Sequence, residues 1–224
     1  MPKLVLISDT HLWQPSDLPQ GDILVHAGDM TMEGSLSEVA SIATWLGNLP
    51  GYTHKVVVPG NHDWLFQRDQ ATARLLLQEK GIILLMNDAI ELLGLRFYGS
   101  PDTPEFCNWA FNHPRGQELA RIWSRIPTNT DVLVTHGPAK GTLDSVGRIA
   151  DETYGVYAEE NMTYEHVGCA DLAARISQLK LKAHVFGHVH RPGIVQSPSG
   201  LVSINATLVN ERYEMVYPAR ELTL

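Results

Sequence analysis

The sequence predicts an α/β fold of layered sheets with helices on the outside, and three observations carry that prediction. Short apolar runs rich in β-branched residues alternate along the chain with segments whose apolar residues recur at helical spacing. Five of the apolar runs end in Asp, Asn or His, four of them beside a glycine. No internal repeat, low-complexity tract or Ser/Pro/Gly-rich linker interrupts the pattern, so residues 1–224 read as a single domain.

Lys3–Ile7 reads as a strand, as do Asp22–His26 and His54–Val58, each a compact apolar run bounded by polar residues. Between the last two, Leu36, Val39, Ala40, Ala43, Trp45 and Leu46 recur at helical spacing after a Ser35/Ser37 start with Glu38 following. Asp69–Glu79 looks helical and stops at Gly81. Ile82–Leu85, Ala89–Leu93 and Leu95–Gly99 then suggest strands joined by tight turns at Asn87-Asp88 and Gly94. Gln117–Arg125 reads as a helix after Pro114-Arg115-Gly116, Asp131–Thr135 as a strand, Cys169–Leu179 as a helix and Lys182–Phe186 as a strand. Short strands around Gly193–Val195, Leu201–Ile204 and Tyr213–Val216 finish the chain. Residues 138–168, rich in glycine and charge, read as a long surface loop, a candidate lid or substrate rim.

Composition narrows the function. With 44% hydrophobic and 19% charged residues among 224, the chain buries a core, which excludes long disorder and fibrous repeats. Its longest uninterrupted apolar run, Ile82–Met86, is far short of the ~20 residues a membrane helix needs. Leu4–Ile7 is likewise too short for the ~7–15-residue core of a signal peptide. Cys107 and Cys169 are too few for a disulfide framework or a thiolate zinc site, which reads as a reducing, cytoplasmic compartment without a membrane partner. The net charge of −8, with Lys and Arg scattered, argues against a long nucleic-acid partner. A small anionic substrate remains open, since bound cations supply positive charge locally. The oligomeric state is left open.

The chemistry lies at the strand ends. Strand one runs into Ser8-Asp9-Thr10-His11, strand two into Ala27-Gly28-Asp29 and strand three into Pro59-Gly60-Asn61-His62-Asp63. Asp131–Thr135 runs into His136-Gly137-Pro138, and Lys182–Phe186 into Gly187-His188-Val189-His190. These are the edges where α/β sheets place their sites, and glycine lets the backbone approach a ligand closely. Asp-x-His leaving a strand can aim a carboxylate and an imidazole to one side, and Asp29 can bridge two cations about 3.5–4 Å apart. Asn61 adds a neutral carbonyl oxygen, and His136, His188 and His190 complete a mixed N/O set without sulfur. Such a set suits Mn, Fe or Zn, with Co and Ni possible, better than Ca or Mg. Each piece alone has a plainer explanation in capping Asp and Asn or in packed core histidines. The ordered ensemble does not: even Gly-His-x-His alone has only about 0.04 chance matches in a chain of this composition.

The same order, Asp-x-His, Gly-Asp, Gly-Asn-His-Asp, His and Gly-His-x-His, resembles that of the calcineurin-like metallophosphoesterases. Leu46-Gly47-Asn48-Leu49-Pro50, Asn112-His113-Pro114-Arg115-Gly116-Gln117, His136-Gly137-Pro138, Val167-Gly168-Cys169 and His184-Val185-Phe186-Gly187-His188 are similar to the metallophosphoesterase-domain-containing group within it, related to class III cyclic nucleotide phosphodiesterases. The resemblance spans about residues 3–217. It implies a four-layer α/β/β/α sandwich with a dinuclear metal site at the strand ends. Asp9, His11, Asp29 and His190 would hold one divalent ion, and Asp29, Asn61, His136 and His188 the other, with Mn and/or Fe expected first. His62 would be the catalytic histidine that assists the leaving group, with Asp63 supporting its ring or capping the turn. The implied reaction is attack on phosphorus by hydroxide generated between the metals.

Other residues keep two readings. Arg115 is either a phosphate clamp or a helix-start arginine facing solvent. Trp64 and Trp13 follow ligand segments and are positioned to stack on a base or aryl group. His26 is either packed core or support for the Gly28-Asp29 turn, and Trp109 is undecided. The favoured function is a phosphodiesterase acting on small nucleotide-like or aryl esters. The alternatives are a phosphomonoesterase or protein phosphatase of the same fold, and a non-catalytic metal-binding interaction module.

Overall fold

Strand β1 (Lys3–Ile7) is apolar at Leu4 to Ile7, and in the computed structural model, which describes residues 1–149 and 162–224, all four are fully buried. A strand turns successive side chains to opposite faces, so such a run needs apolar cover on both. Val5 and Ile7 enter one hydrophobic cluster, Leu4 and Leu6 another. β1 pairs in parallel with β2 (Ile23–His26), β2 with β3 (His54–Val57) and β3 with β4 (Ile83–Leu84). The outer face of this sheet is covered by α1 (Leu36–Asn48) and α3 (Gln70–Gln78), with the single turn α2 (Trp64–Arg68) beside them. α1 begins at a capping box in which Glu38 N–H donates to Ser35 Oγ and Ser35 N–H donates back to the Glu38 carboxylate at 2.8 Å. It buries Val39, Ile42, Ala43 and Leu46; of the stripe expected from spacing, Leu36 is exposed and Ala40 and Trp45 are half-buried, while Ile42 joins the buried face.

The second sheet is built from β5 (Asp88–Leu92), β6 (Leu95–Ser100), β9 (Val132–Thr135), β12 (Ala183–Phe186), β13 (Gly193–Gln196) and β14 (Val202–Asn205), in the order β13-β14-β12-β9-β6-β5. β5 and β6 form a hairpin whose two turn residues, Leu93 (φ 50°) and Gly94 (φ 78°), both take the left-handed conformation that suits the twist of the strands. Phe97, Val132, Val134, Val185 and Ile204 point inward and meet Leu4, Leu6, Val25 and Val56 of the first sheet. Tyr98 and Leu133 point outward and pack on α4 (Gln117–Trp123) and α5 (Ala170–Ile176) through Trp123 and Leu172. Three clusters thus separate four layers, α/β/β/α, as the family resemblance implied.

Several expectations are corrected. Tyr213–Val216 is not a strand: Asn210 Oδ1 accepts the N–H groups of Arg212 (2.9 Å) and Glu214 (3.1 Å), and this local bonding competes with pairing. Only an isolated bridge, Val209 to Met215, remains. The last strand is instead β15 (Arg220–Thr223), antiparallel to β1 at the sheet edge. The expected loop at 138–168 holds a ribbon, β10 (Ser145–Ile149) paired with β11 (Met162–His166), and its residues 150–161 lie outside those described. Among the described residues no helix is long and apolar enough to cross a membrane.

A small parallel pair, β7 (Thr103–Pro104) and β8 (Asn112–His113), leads from the second sheet to α4. His113 fastens it: Nε2 lies 2.6 Å from Asp102 Oδ1 and Nδ1 2.9 Å from Glu118 Oε1. The hydrogen bond to Asp102 outweighs burial and raises the imidazole above its usual range. A group raised on folding contributes stability that is complete below its unfolded value and is lost as pH rises through its folded one. The stability difference between wild type and His113→Gln should therefore be ~1–2 kcal/mol near pH 6 and shrink toward pH 9. Thermal melts at both pH values check this, and a difference independent of pH would remove charge as its source.

Candidate metal centre

The strand ends converge through backbone conformations that side chains seldom adopt. After Ser8 bridges to Thr207, Asp9 (φ 53°), His11 (φ 41°) and Leu12 (φ 71°) are left-handed. Asp29 (φ 53°) follows Gly28 (φ 104°) in the same way, and His188 (φ 67°) follows β12. Such conformations persist only where surrounding contacts dictate them, and they cluster at functional sites. Here the two turns are joined by three hydrogen bonds: Asp9 N–H to Gly28 O (2.8 Å), His11 N–H to Asp29 O (3.1 Å) and Leu12 N–H to Met30 O (2.9 Å). Beneath them the buried His26 accepts from Gly28 N–H at Nδ1 (3.2 Å) and donates from Nε2 to Thr10 Oγ1 (2.9 Å), and burial holds its imidazole neutral, down to about 3. Of its two readings, the structure gives His26 the supporting one.

The expected ligand residues meet at this edge. Asp9 accepts His188 N–H at 3.1 Å from each carboxylate oxygen, and His190 Nε2 lies 3.6 Å from its Oδ1. Asp29 Oδ1 accepts His62 N–H (2.8 Å), while its Oδ2 faces His136 Nε2 (3.3 Å) and His11 Nε2 (3.8 Å). Asn61 Oδ1 lies 2.9 Å from the same His136 Nε2. Two groups with ligand atoms mutually within 4.8 Å emerge, Asp9–His11–His190 and Asp29–His136–His188, and a third, His11–Asp29–His62, overlaps both. A Cβ on Gly60 would overlap the Asp29 carboxylate, and one on Gly187 the Asp9 carboxylate, so both positions require glycine by close approach.

Three of the four rings are aimed by the main chain. Nδ1–H of His11 donates to Thr31 O (3.3 Å), that of His136 to Ala27 O (2.9 Å) and that of His190 to Asn210 O (3.1 Å), which turns each Nε2 inward. Metal-binding imidazoles are held in this way. His11 Nε2 is buried and has no hydrogen-bond partner among the described residues, a costly state that a cation would relieve. Charge gives the same answer. Burial opposes ionisation of Asp9, yet His190 and His136 draw its carboxyl down to about 2. Burial opposes that of Asp29 too, and His136 still holds it well below the usual carboxylate range. Burial disfavours the His136 cation, but Asp29 beside it pushes the imidazole up to about 9. His188 is driven by burial, with the charge of His136 adding, down to about 4. Two buried carboxylates thus face imidazole nitrogens and a carboxamide oxygen, a donor set suited to borderline divalent cations once His136 gives up its proton.

His62 sits beside this group, its ring edge-on to His11 with centroids 4.8 Å apart. Asp63 does not reach that ring, contrary to one of its two expected roles. Its carboxylate accepts Gly60 N–H (2.7 Å), Thr31 N–H (3.0 Å) and Thr31 Oγ1–H (2.6 Å), so it fixes the Gly60–Asp63 turn. The His62 ring is oriented instead by Nδ1–H donating to Met32 O at 2.7 Å. Arg115 is spent on scaffolding: its guanidinium donates to Gly168 O (2.8 Å) and Val167 O (2.6 Å), which leaves the helix-start reading over the phosphate clamp. Trp64 packs on the outer core under the Arg68 guanidinium, 4.3 Å from its ring centroid, rather than on the convergent Asp and His side chains. Two aromatic neighbours stand out, Trp109, which the sequence left undecided, and Tyr213, which it placed in a strand. Trp109 stacks on His62 at 4.2 Å with 29° between planes, and Tyr213 lies 4.7 Å from His11 and 5.2 Å from His190. Asn112 holds the Trp109 turn by accepting its N–H at Oδ1 (3.3 Å), a contact between loop residues that periodicity does not reveal.

Comparison with known proteins agrees with this geometry. Residues 2–192 match the sequence model of the calcineurin-like phosphoesterases. Human metallophosphoesterase domain-containing protein 1 is 34% identical over 96% of this chain and 69% of its own length. Among solved structures, a phosphopantetheinyl hydrolase from Mycobacterium tuberculosis superposes with a TM-score of 0.56 at 17% identity, covering 98% of this chain and 95% of that one. A dimetal phosphatase from Danio rerio does so with 0.52 at 13%, covering 93% and 87%. The chain belongs to the calcineurin-like phosphoesterase family.

Proposed function

We propose that the protein is a metal-dependent phosphodiesterase that hydrolyses small aryl or nucleotide-like phosphodiesters, with a cytoplasmic setting and residues 1–224 acting as one domain. The observation that carries this reading is the convergence of seven N/O side chains, three of their imidazoles anchored on main-chain carbonyls, beside one further histidine, His62. Asp9, His11, Asp29 and His190 hold one divalent ion and Asp29, Asn61, His136 and His188 the other, with Mn and/or Fe favoured and Zn, Co or Ni acceptable to the same donors. When bound, the cations neutralise phosphoryl oxygens and make hydroxide available near neutral pH. Asp29 touches both sets at once, since its Oδ2 faces His11 of one and His136 of the other. His62, with Nδ1–H committed to Met32 O, presents Nε2 as the atom that delivers a proton to the departing oxygen. Room for a second ester group is supported by the exposure of Trp13, Phe106 and Tyr213 around the centre. The unpaired thiols of Cys107 and Cys169 support a reducing compartment.

The test is reconstitution. Protein stripped with chelator should hydrolyse neither bis(p-nitrophenyl) phosphate nor p-nitrophenyl phosphate, and added Mn²⁺ should restore turnover with the diester preferred. A monoester preference would move the assignment to a phosphatase. Metal binding without hydrolysis, across Mn²⁺, Fe²⁺, Zn²⁺, Co²⁺ and Ni²⁺, would overturn the enzymatic reading.

A further inference from the structure

Tyr213 occupies a position that the metal residues do not explain. Its ring centroid lies 4.7 Å from His11, 5.2 Å from His190 and 6.3 Å from His62, edge-on to each. It is 40% exposed, and its phenol oxygen has no hydrogen-bond partner among the described residues. Its backbone is left-handed (φ 61°), which for a large aromatic residue is strained. The strain is imposed by a rigid turn. Asn210 O accepts Tyr213 N–H at 2.9 Å, Asn210 Oδ1 accepts the N–H groups of Arg212 and Glu214, and Trp13 Nε1–H donates to Tyr213 O at 3.0 Å. The same Asn210 carbonyl receives Nδ1–H of His190, so the turn is tied to the metal residues themselves. Elsewhere around the centre, Trp109 stacks on His62, and the exposed ring of Phe106 is 6.3 Å from that of His188.

A strained, solvent-facing aromatic residue held against three site histidines is better accounted for by what it contacts in the substrate than by packing, which a half-exposed ring serves poorly. We propose that Tyr213 is a specificity-determining residue: its ring takes the planar aryl or heteroaryl group of an ester whose phosphoryl group lies at the metal residues. This rests on the phosphoesterase reading of the site and adds to it a residue that selects by ring contact.

The test is binding, measured by calorimetry on metal-reconstituted protein with phenyl phosphate and with inorganic phosphate. Glycine adopts φ 61° without strain, so Tyr213→Gly removes the ring while keeping the turn and the His190 anchor. We expect it to weaken phenyl phosphate roughly 5- to 50-fold while inorganic phosphate stays within about twofold. Tyr213→Phe should retain the wild-type discrimination. Metal stoichiometry and thermal midpoint serve as controls on the site and the turn. Equal losses for both ligands, or Tyr213→Phe failing as Tyr213→Gly does, would overturn the proposal, the latter transferring the role to the hydroxyl. If reconstituted wild type hydrolyses no phosphoester, the phosphoesterase reading fails, and the binding ratio still decides the role of the ring.

Discussion

Asp29→Asn should abolish paired metal binding and lower kcat/KM for a phosphodiester roughly 10³-fold or more. The substitution is nearly isosteric, so the left-handed turn at φ 53° and its hydrogen bond from His11 N–H to Asp29 O are retained. The difference is one of charge. One carboxylate oxygen accepts His62 N–H while the other faces both His136 and His11, and an amide can present only one acceptor oxygen to these partners. The metal-free fold should lose only on the order of 1–3 kcal/mol. His136, which owes its raised value to Asp29, can shed its proton and so avoid standing as an unpaired buried cation. Elemental analysis after reconstitution should find two metal ions per chain in wild type and at most one in the variant. A variant that kept both ions and stayed within tenfold of wild-type activity would show that Asp29 does not join the two sets.

The contrast between Asp29 and Tyr213 shows which parts of the molecule could be read from sequence. The meeting of Asp9, His11, Asp29, Asn61, His136, His188 and His190 at one edge was legible because each comes after an apolar run, and the end of a buried strand fixes where the next residues emerge. The four layers followed from strands such as Leu4–Ile7, whose uninterrupted apolarity requires cover on both faces. The atoms that aim the imidazoles were not legible. Thr31, Ala27, Asn210 and Met32 act through main-chain carbonyls, which every residue possesses, so their identity carries no signal.

Arg115 illustrates a different limit. A guanidinium at a helix start suits a phosphate or a pair of carbonyls equally, and only the chain crossing at Val167–Gly168 decides. β15 was missed because Arg220–Thr223 has no apolar alternation; its partner β1 and the Lys3–Glu221 ion pair define it. Tyr213 was misread for the opposite reason, since Tyr, Met and Val suggest a strand that the side chain of Asn210 prevents. The residues that bear charge at the centre are thus marked by their immediate sequence context, whereas those that shape its mouth depend on contacts that sequence spacing does not encode.

His62→Ala should lower turnover of alkyl diesters ~10²–10⁴-fold while costing far less with p-nitrophenyl leaving groups. Asp29 Oδ1 is held by the main-chain N–H of His62, which alanine retains, so the metal residues keep their positions. The ring alone is removed, from a slot defined by Met32 O, the edge of His11 and the face of Trp109. With Nδ1–H fixed on the carbonyl, Nε2 is the one atom of that ring free to donate to a departing oxygen, and only a basic alkoxide needs the proton. A plot of log kcat against leaving-group pKa should therefore be steeper for the variant than for wild type, with the lines converging for the most acidic phenols. Metal content should be unchanged. Equal losses across all leaving groups would reassign His62 to positioning, because a misplaced substrate slows every ester alike, whereas a missing proton slows only those that require it.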